Sequence, residues 1–375
     1  MKIAIIGSAH PLRGGLATFN ERLAKELLGL GHDVSMYSFS LQYPSFLFPG
    51  ATQYTDEPAP EGLRIHSVIN SVNPLNWLQV GRRMRREKFD LVIIKFWLPF
   101  MGPAFGTILR GIRRNKHTRV VCIVDNIIPH EKRPGDKAFA NYFIKAVDAF
   151  ITMSKDVLKD LQTFTEKPAL FTPHPVYDNY GTPVSKEDAC QKLGLNLHDK
   201  YILFFGFIRK YKGLDLLLEA MSDERIRKAG INLIVAGEFY EDRAVYDQLI
   251  QEHQLQDRTK MYTEFIPNNE VKYYFGAADM VVQPYRHATQ SGITQVAYHF
   301  EKPMVVTNVG GLQEVVPDGK VGFVTEPDPT AIATAILRFY QPNALPNVQE
   351  NIHVEKLKYT WDTFVKKLLA VVAGE

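Results

Sequence analysis

The chain has 375 residues, 45% of them hydrophobic and 23% charged, and a formal net charge of +3 at pH 7. This is globular composition with length for two domains, which excludes a disordered or collagen-like chain. No apolar run of about 18 residues argues for a membrane-spanning helix. Two cysteines, Cys122 and Cys190, lack CxxC or Cys/His spacing and read as packing residues of a reducing compartment, with no metal site indicated.

The opening Met1 to Gly7 is too soon broken by glycine for a signal peptide, so it reads as a strand of a cytoplasmic protein. Apolar runs and helical patterns then alternate. LATFNERLAKELLGLG (16–31) is an amphipathic helix closing on Gly31, and HDVSMYSF (32–39) is a strand. LRIHSVI (63–69) follows, then a helix around WLQVGRRMRREK (77–88), the strand DLVIIKFW (90–97), and a helix from Gly106. RVVCIVDN (119–126) is a strand, Ala138 to Ala146 a helix, DAFITMS (148–154) strand-like and KDVLKDLQTF (155–164) helical. Strand and helix in turn predict a doubly wound parallel α/β sheet. The segment 40–62 interrupts the alternation with Pro, Gly and the aromatics Tyr43, Phe46 and Phe48. It is either a functional insertion or a loop packed on its own domain.

After the Pro-rich, polar stretch 168–188 a second series begins with KYILFFG (200–206). It continues with helix LDLLLEAM (214–221), strand INLIVAG (231–237), a helix from Ala244 to His253, and KMYTEF (260–265). Helix NEVKYYFGAA (269–278), strand DMVVQPY (279–285), a helix after Gly292, strand PMVVTN (303–308), GKVGFVT (319–325) and helix PTAIATAILRFY (329–340) complete it. The expectation is two facing doubly wound Rossmann-like domains, 1–180 and 181–355, with the ligand in a cleft between them at the carboxyl ends of the strands. Residues 356–375 form a C-terminal helix expected to pack back on the first domain.

Charge divides unevenly. Residues 1–185 carry 23 Lys and Arg against 16 Asp and Glu, and the remainder 21 against 25. Much of the excess lies in Arg82 to Arg86 and in ILRGIRRNKHTR (108–119). Solvated helix faces explain such runs; a basic surface for anionic lipid or a phosphorylated acceptor explains them equally. Nucleic acid is not expected, because no recognition motif accompanies the charge and the second half is acidic.

Three loops could carry chemistry. GSAHPLRGG (7–15) is not a dinucleotide fingerprint, but Gly14 and Gly15 before a helix permit close backbone approach and offer amides to an anion; a tight turn needs the same glycines. FGFIRKYKGL (205–214) places three cations between strand and helix. Arg209 as a planar fork and Lys212 as a point charge suit a diphosphate, although a solvated loop could also hold them. QPYRHATQSGITQVAYHFEKP (283–303) brings amides and hydroxyls to a helix start at Gly292, with no carboxylate between Tyr285 and Phe300.

RKYKGLDLLLEA (209–220), followed by YRHATQSGITQVAYHFEKPMVVTNVGGLQEVVPDGKVGFV (285–324), resembles the carboxyl-terminal domain of family 4 glycosyltransferases, retaining enzymes of the GT-B fold. PLRGGLATFNERLAKELLGLGHDV (11–34) is similar to that family's Gly-Gly loop and long helix, and the likeness runs to the helix KYTWDTFVKKLL (358–369). It implies a nucleotide sugar on the second domain and a carbohydrate or lipid-linked acceptor on the first. Lys212 then matches the phosphate-binding lysine, while Phe207 stands in the usual arginine slot and Arg209 is the substitute. Glu264, Phe265 and Ile266 fall where the family's backbone reads the base.

The family's two glutamates are absent. Thr289 or Ala288 takes the first slot, and Ala297 or Val296 the second. Ser291 and the amides at Gly206, Gly292 and Ile293 would meet the diphosphate; Thr289, Gln290, Thr294 or Gln295 would hold sugar and ribose hydroxyls. Asp125 stands in the slot of the first domain's histidine, with Asn126 and His130 close by, and Glu131, Lys132 and Arg133 could bind acceptor phosphate. Glu238 is a further candidate, with helix capping as its plain alternative. No Asp-x-Asp occurs, so no cofactor or metal is expected. The resemblance implies same-face transfer in which the leaving phosphate takes the acceptor's proton. A nucleotide-sugar 2-epimerase and a catalytically silent nucleotide- or glycan-binding module are the competing readings.

Overall fold

The structure, a computed structural model, describes residues 1–44, 48, 52–129 and 133–373. The chain forms two compact units, Met1–Pro175 with Thr360–Glu375, and Val176–Tyr359. The exchanges at 175/176 and 359/360 differ slightly from the sequence divisions at 180/181 and 355/356.

In the first unit the chain runs β1 (Lys2–Ile6), α1 (Gly15–Gly29), β2 (Asp33–Leu41), β3 (Ile65–Asn70), α2 (Pro74–Glu87), β4 (Leu91–Phe96) and α3 (Gly102–Arg113). It continues β5 (Arg119–Val124), α4 (Asp136–Ile144), β6 (Ala149–Thr152), α5 (Lys155–Gln162) and β7 (Ala169–Phe171). The strands pair in parallel in the order β3-β2-β1-β4-β5-β6-β7. Strand order reverses between β1 and β4, so ligand chemistry is expected outside their carboxyl ends. The β4 residues Leu91 to Phe96 are all buried, as a central parallel strand covered on both faces requires. Helix α1 buries Phe19, Leu23 and Leu27 at four-residue spacing. Asn73 caps α2, accepting from the Leu75 and Asn76 amides at 3.0 and 3.2 Å, and Pro74 supplies a fixed φ at the first position.

The chain returns to this unit as α15 (Trp361–Ala373), whose Trp361 and Phe364 rings lie 5.1 and 5.7 Å from Phe19. The loop after β2 is packed at Tyr43. Its hydroxyl accepts from Trp97 Nε1 at 2.7 Å, and its ring stacks on Phe48 and Phe100. Phe46 lies outside the described residues.

The second unit opens with α6 (Lys186–Leu193), β8 (Lys200–Phe205), α7 (Leu214–Met221), α8 (Glu224–Lys228), β9 (Ile231–Ala236) and α9 (Ala244–Glu252). Then come β10 (Thr259–Tyr262), α10 (Val271–Ala277), β11 (Met280–Gln283), α11 (Gly292–His299) and β12 (Met304–Thr307). Helix α12 (Leu312–Val315), β13 (Gly322–Thr325), α13 (Pro329–Phe339) and α14 (Val348–Lys356) complete it. The parallel order β10-β9-β8-β11-β12-β13 reverses between β8 and β11, the two strands that deliver the RKYKG and ATQSG loops.

Candidate functional site

The second unit brings these two loops together. Beyond β8 the chain makes a single 3-10 turn, Lys210–Lys212, and enters α7 through Gly213. Gly213 has φ 70°, and a Cβ there would lie 2.0 Å from the Pro284 carbonyl oxygen, so the cationic turn sits directly on the end of β11. The Arg286 amide donates to the Tyr211 carbonyl at 2.7 Å, and the Arg286 guanidinium pairs with Asp215 at 2.6 Å. Gly310, at φ 49°, presses its backbone against Ala288 from the far side; a Cβ would meet the Ala288 oxygen at 1.5 Å.

Lys212 is the unusual group. It is 8% exposed, its Nζ lies 5.8 Å from the Tyr285 ring centroid, and a Cβ on Gly206 would sit 3.0 Å from that Nζ and 3.2 Å from Ile293 Cδ1. No carboxylate pairs with it among the described residues. Burial, reinforced by the nearby Arg209 charge, pushes its pKa down to about 7. Arg209 itself is exposed, with its guanidinium 5.0 Å from the Tyr240 ring, which stacks on Phe207 at 4.3 Å. The residue in the family's arginine slot therefore supports the platform on which Arg209 lies.

Opposite Lys212, Ser291 caps α11. Its hydroxyl accepts from the Ile293 amide at 3.2 Å and lies 3.2 Å from the Tyr285 hydroxyl. Gly292 sits over Tyr177, to whose ring a Cβ would approach within 3.0 Å. Thr289 and Gln290 are half-buried in the loop before the cap. Thr294 is turned away from the loop: it is 1% exposed and donates to Gln283 Oε1 at 3.1 Å, so its hydroxyl anchors α11 to β11 and is not presented to a sugar. Gln295 is equally buried, but its Oε1 has no hydrogen-bond partner. Val296 and Ala297, the alternatives for the second glutamate slot, are buried.

Glu238 is buried just beyond β9, where the Ile208 amide donates to its carbonyl. Phe265 and Ile266 lie half-buried past the end of β10, on the same edge of the sheet.

In the first unit, Gly14 is the residue before α1, with φ 95°, and Gly15 opens the helix; the Thr18 amide and hydroxyl both donate to the Gly14 carbonyl. Asp125 follows β5 and accepts from Lys95 Nζ at 2.9 Å. Lys95, 3% exposed in β4, lies 3.7 Å above the centre of the Phe19 ring. Burial lowers its pKa, and the Asp125 carboxylate opposes that shift. His174 packs edge-on to the same ring at 5.2 Å; burial, then the Lys95 charge, depresses its pKa to about 3, leaving a neutral imidazole whose Nδ1 donates to the Pro175 carbonyl. Asn126 is half-buried beside Asp125. His130, Glu131 and Lys132 lie outside the described residues.

Sequence reasoning passed over Lys95, His174, Tyr285 and the Asp215–Arg286 pair. Lys95 carried a signal: a cation inside LVIIKF, a strand buried on both faces, requires a partner. Among the described residues no group of three or more His, Cys, Asp or Glu stands where it could hold a metal ion.

Known proteins agree with this architecture. The chain is 26% identical over 272 residues to a D-inositol 3-phosphate glycosyltransferase of Corynebacterium urealyticum, covering 69% of this chain and 60% of that one. It is 22% identical over 406 residues to an uncharacterised glycosyltransferase of Methanocaldococcus jannaschii, covering 99% and 97%. The crystal structure of Anabaena HepE in complex with UDP-glucose superposes with a TM-score of 0.74 at 15% identity, over the whole of both chains. The family model Glycosyltransferase Family 4 matches residues 13–176, and the model Glycosyl transferases group 1 matches residues 185–352. With two doubly wound parallel sheets and both models in tandem, the chain belongs to the family 4 glycosyltransferases of the GT-B fold.

Proposed function

We propose that the protein transfers a sugar, with retention and without a metal ion, from a nucleoside diphosphate sugar to an acceptor hydroxyl in cell-surface glycan or glycolipid synthesis at the cytoplasmic membrane face. Lys212 carries this reading. A buried ammonium without a carboxylate is destabilised until an anion arrives, and it sits where the RKYKG turn meets the start of α11. A diphosphate there gains the ammonium, the α11 amides and Arg209. These cations meet the negative charge that grows on the leaving group as the anomeric C–O bond breaks, in place of a divalent ion. The acceptor oxygen forms the new bond on the face the diphosphate leaves, and its proton passes to a leaving-group phosphate oxygen. HepE, which binds UDP-glucose, has the same fold and supports a nucleotide-sugar donor.

The test is to incubate the protein with UDP-, GDP- and ADP-sugars and a lipid-linked or carbohydrate acceptor, with and without EDTA. Diphosphate release that survives chelation, with product anomers matching the donor by NMR, is the expected result. Metal-dependent release, or inversion, overturns the corresponding part. One observation favours a silent nucleotide-binding module instead: the second glutamate slot is filled by buried apolar side chains. Nucleotide binding without turnover on any donor would select that reading.

A further inference from the structure

Helix α2 carries two stripes. Trp77, Val80 and Met84, spaced three and four residues apart, pack into the first unit's core. On the other side Leu75 and Leu78 are 70% and 47% exposed, in line with the exposed Arg82 and Arg86, and Val72 before the helix is 46% exposed. Arg83 is exposed beside them. The helix's one carboxylate, Glu87, is taken by Lys2 at 2.8 Å, and none of these arginines has an ion-pair partner among the described residues. The first turn of α2 leaves β3 at the carboxyl edge of the sheet, the edge that also carries Gly14 and Asp125.

We infer that this outer face of α2 is a docking surface for an anionic lipid bilayer, with the leucine end entering the acyl boundary and the arginines held at the headgroups. The observations choose the occupant. Exposed leucines in line with uncompensated cations need hydrocarbon and negative charge side by side. Nucleic acid offers the charge without the hydrocarbon. The packed Tyr43 is already committed to Trp97 and Phe100, so the surface does not depend on it. The inference rests on the reading that transfer takes place at the membrane, and names the face that meets it.

The experiment is co-sedimentation of the full chain with phosphatidylcholine vesicles and with mixed phosphatidylcholine–phosphatidylglycerol vesicles, at low and high salt. The wild type should bind the anionic vesicles at low salt only. Arg82→Ser/Arg83→Ser/Arg86→Ser should weaken that partitioning by about a hundredfold. Leu75→Ser/Leu78→Ser should weaken it by about tenfold. Both variants change exposed side chains, and circular dichroism checks that they fold. Arg227→Ser/Lys228→Ser, on α8 of the second unit, should bind as the wild type does.

Equal binding of neutral and anionic vesicles, an unaffected arginine variant, or an equal loss in the α8 control overturns the surface. So does salt-sensitive binding of duplex nucleic acid or of an acidic protein without vesicle binding. UDP, GDP and ADP are titrated into the same proteins. Vesicle binding without nucleotide binding would sink the transferase reading and leave the surface standing; nucleotide binding without vesicle binding would do the reverse.

Discussion

Each unit buries a lysine near the carboxyl edge of its sheet, and the two are finished differently. Lys95 has Asp125 at 2.9 Å and the Phe19 ring beneath it. Lys212 has the face of Tyr285 and no carboxylate, and its pKa falls to about 7. A buried charge with an internal counter-ion is complete as folded, whereas one without is complete only with a ligand. The comparison separates a charge that maintains the protein from one that prepares it to bind an anion.

Removing each ammonium should therefore break different things. Lys95→Met takes the buried ammonium away from the Asp125 carboxylate, and should destabilise the first unit by about 3–5 kcal/mol, read as a lower midpoint in urea. Lys212→Met leaves no orphan. Its stability should be unchanged or slightly higher, while nucleoside diphosphate affinity falls by about 1.5–3 kcal/mol in calorimetric titration. If Lys212→Met unfolds the protein and Lys95→Met does not, the comparison is inverted.

Smaller effects sharpen the picture of the Lys212 site. Ser291→Ala removes the cap of α11 and should cost about 1 kcal/mol of stability, measured by denaturant unfolding. Arg209→Ala, on its exposed Tyr240 platform, should weaken diphosphate binding by no more than about 1 kcal/mol, and less at high salt.

Much of this site was legible because its signals are local. RKYKG lies between a strand and a helix, and Ser291 precedes Gly292 at a helix start; each needs only a few neighbouring residues to be read. The ion pair of the first unit joins residues thirty positions apart, one on β4 and one just past the end of β5, so only the oddity of a lysine in LVIIKF pointed to it. Thr294 beside the capped start looks like a free hydroxyl in sequence, but the helix turns it onto Gln283. Strand β7 and helices α8 and α12 are too short to show a period, and their places are set by the sheet they complete. The outer stripe of α2 reads in sequence as part of one amphipathic helix, and only the packing of Trp77, Val80 and Met84 shows that Leu75 and Leu78 are left outside.

Lys212 awaits an anion, and proton linkage reads this out. With a pKa of about 7 in the free protein, Lys212 is mostly neutral at pH 8, and a bound diphosphate raises that pKa. Affinity should then fall about tenfold for each pH unit above 7 until the raised pKa is reached. Titration of the nucleotide at pH 8, in two buffers of different ionisation enthalpy, should show uptake of close to one proton per site in the wild type and none in Lys212→Met. Binding without proton uptake in the wild type, or equally tight binding by both proteins, would mean that Lys212 does not hold the anion.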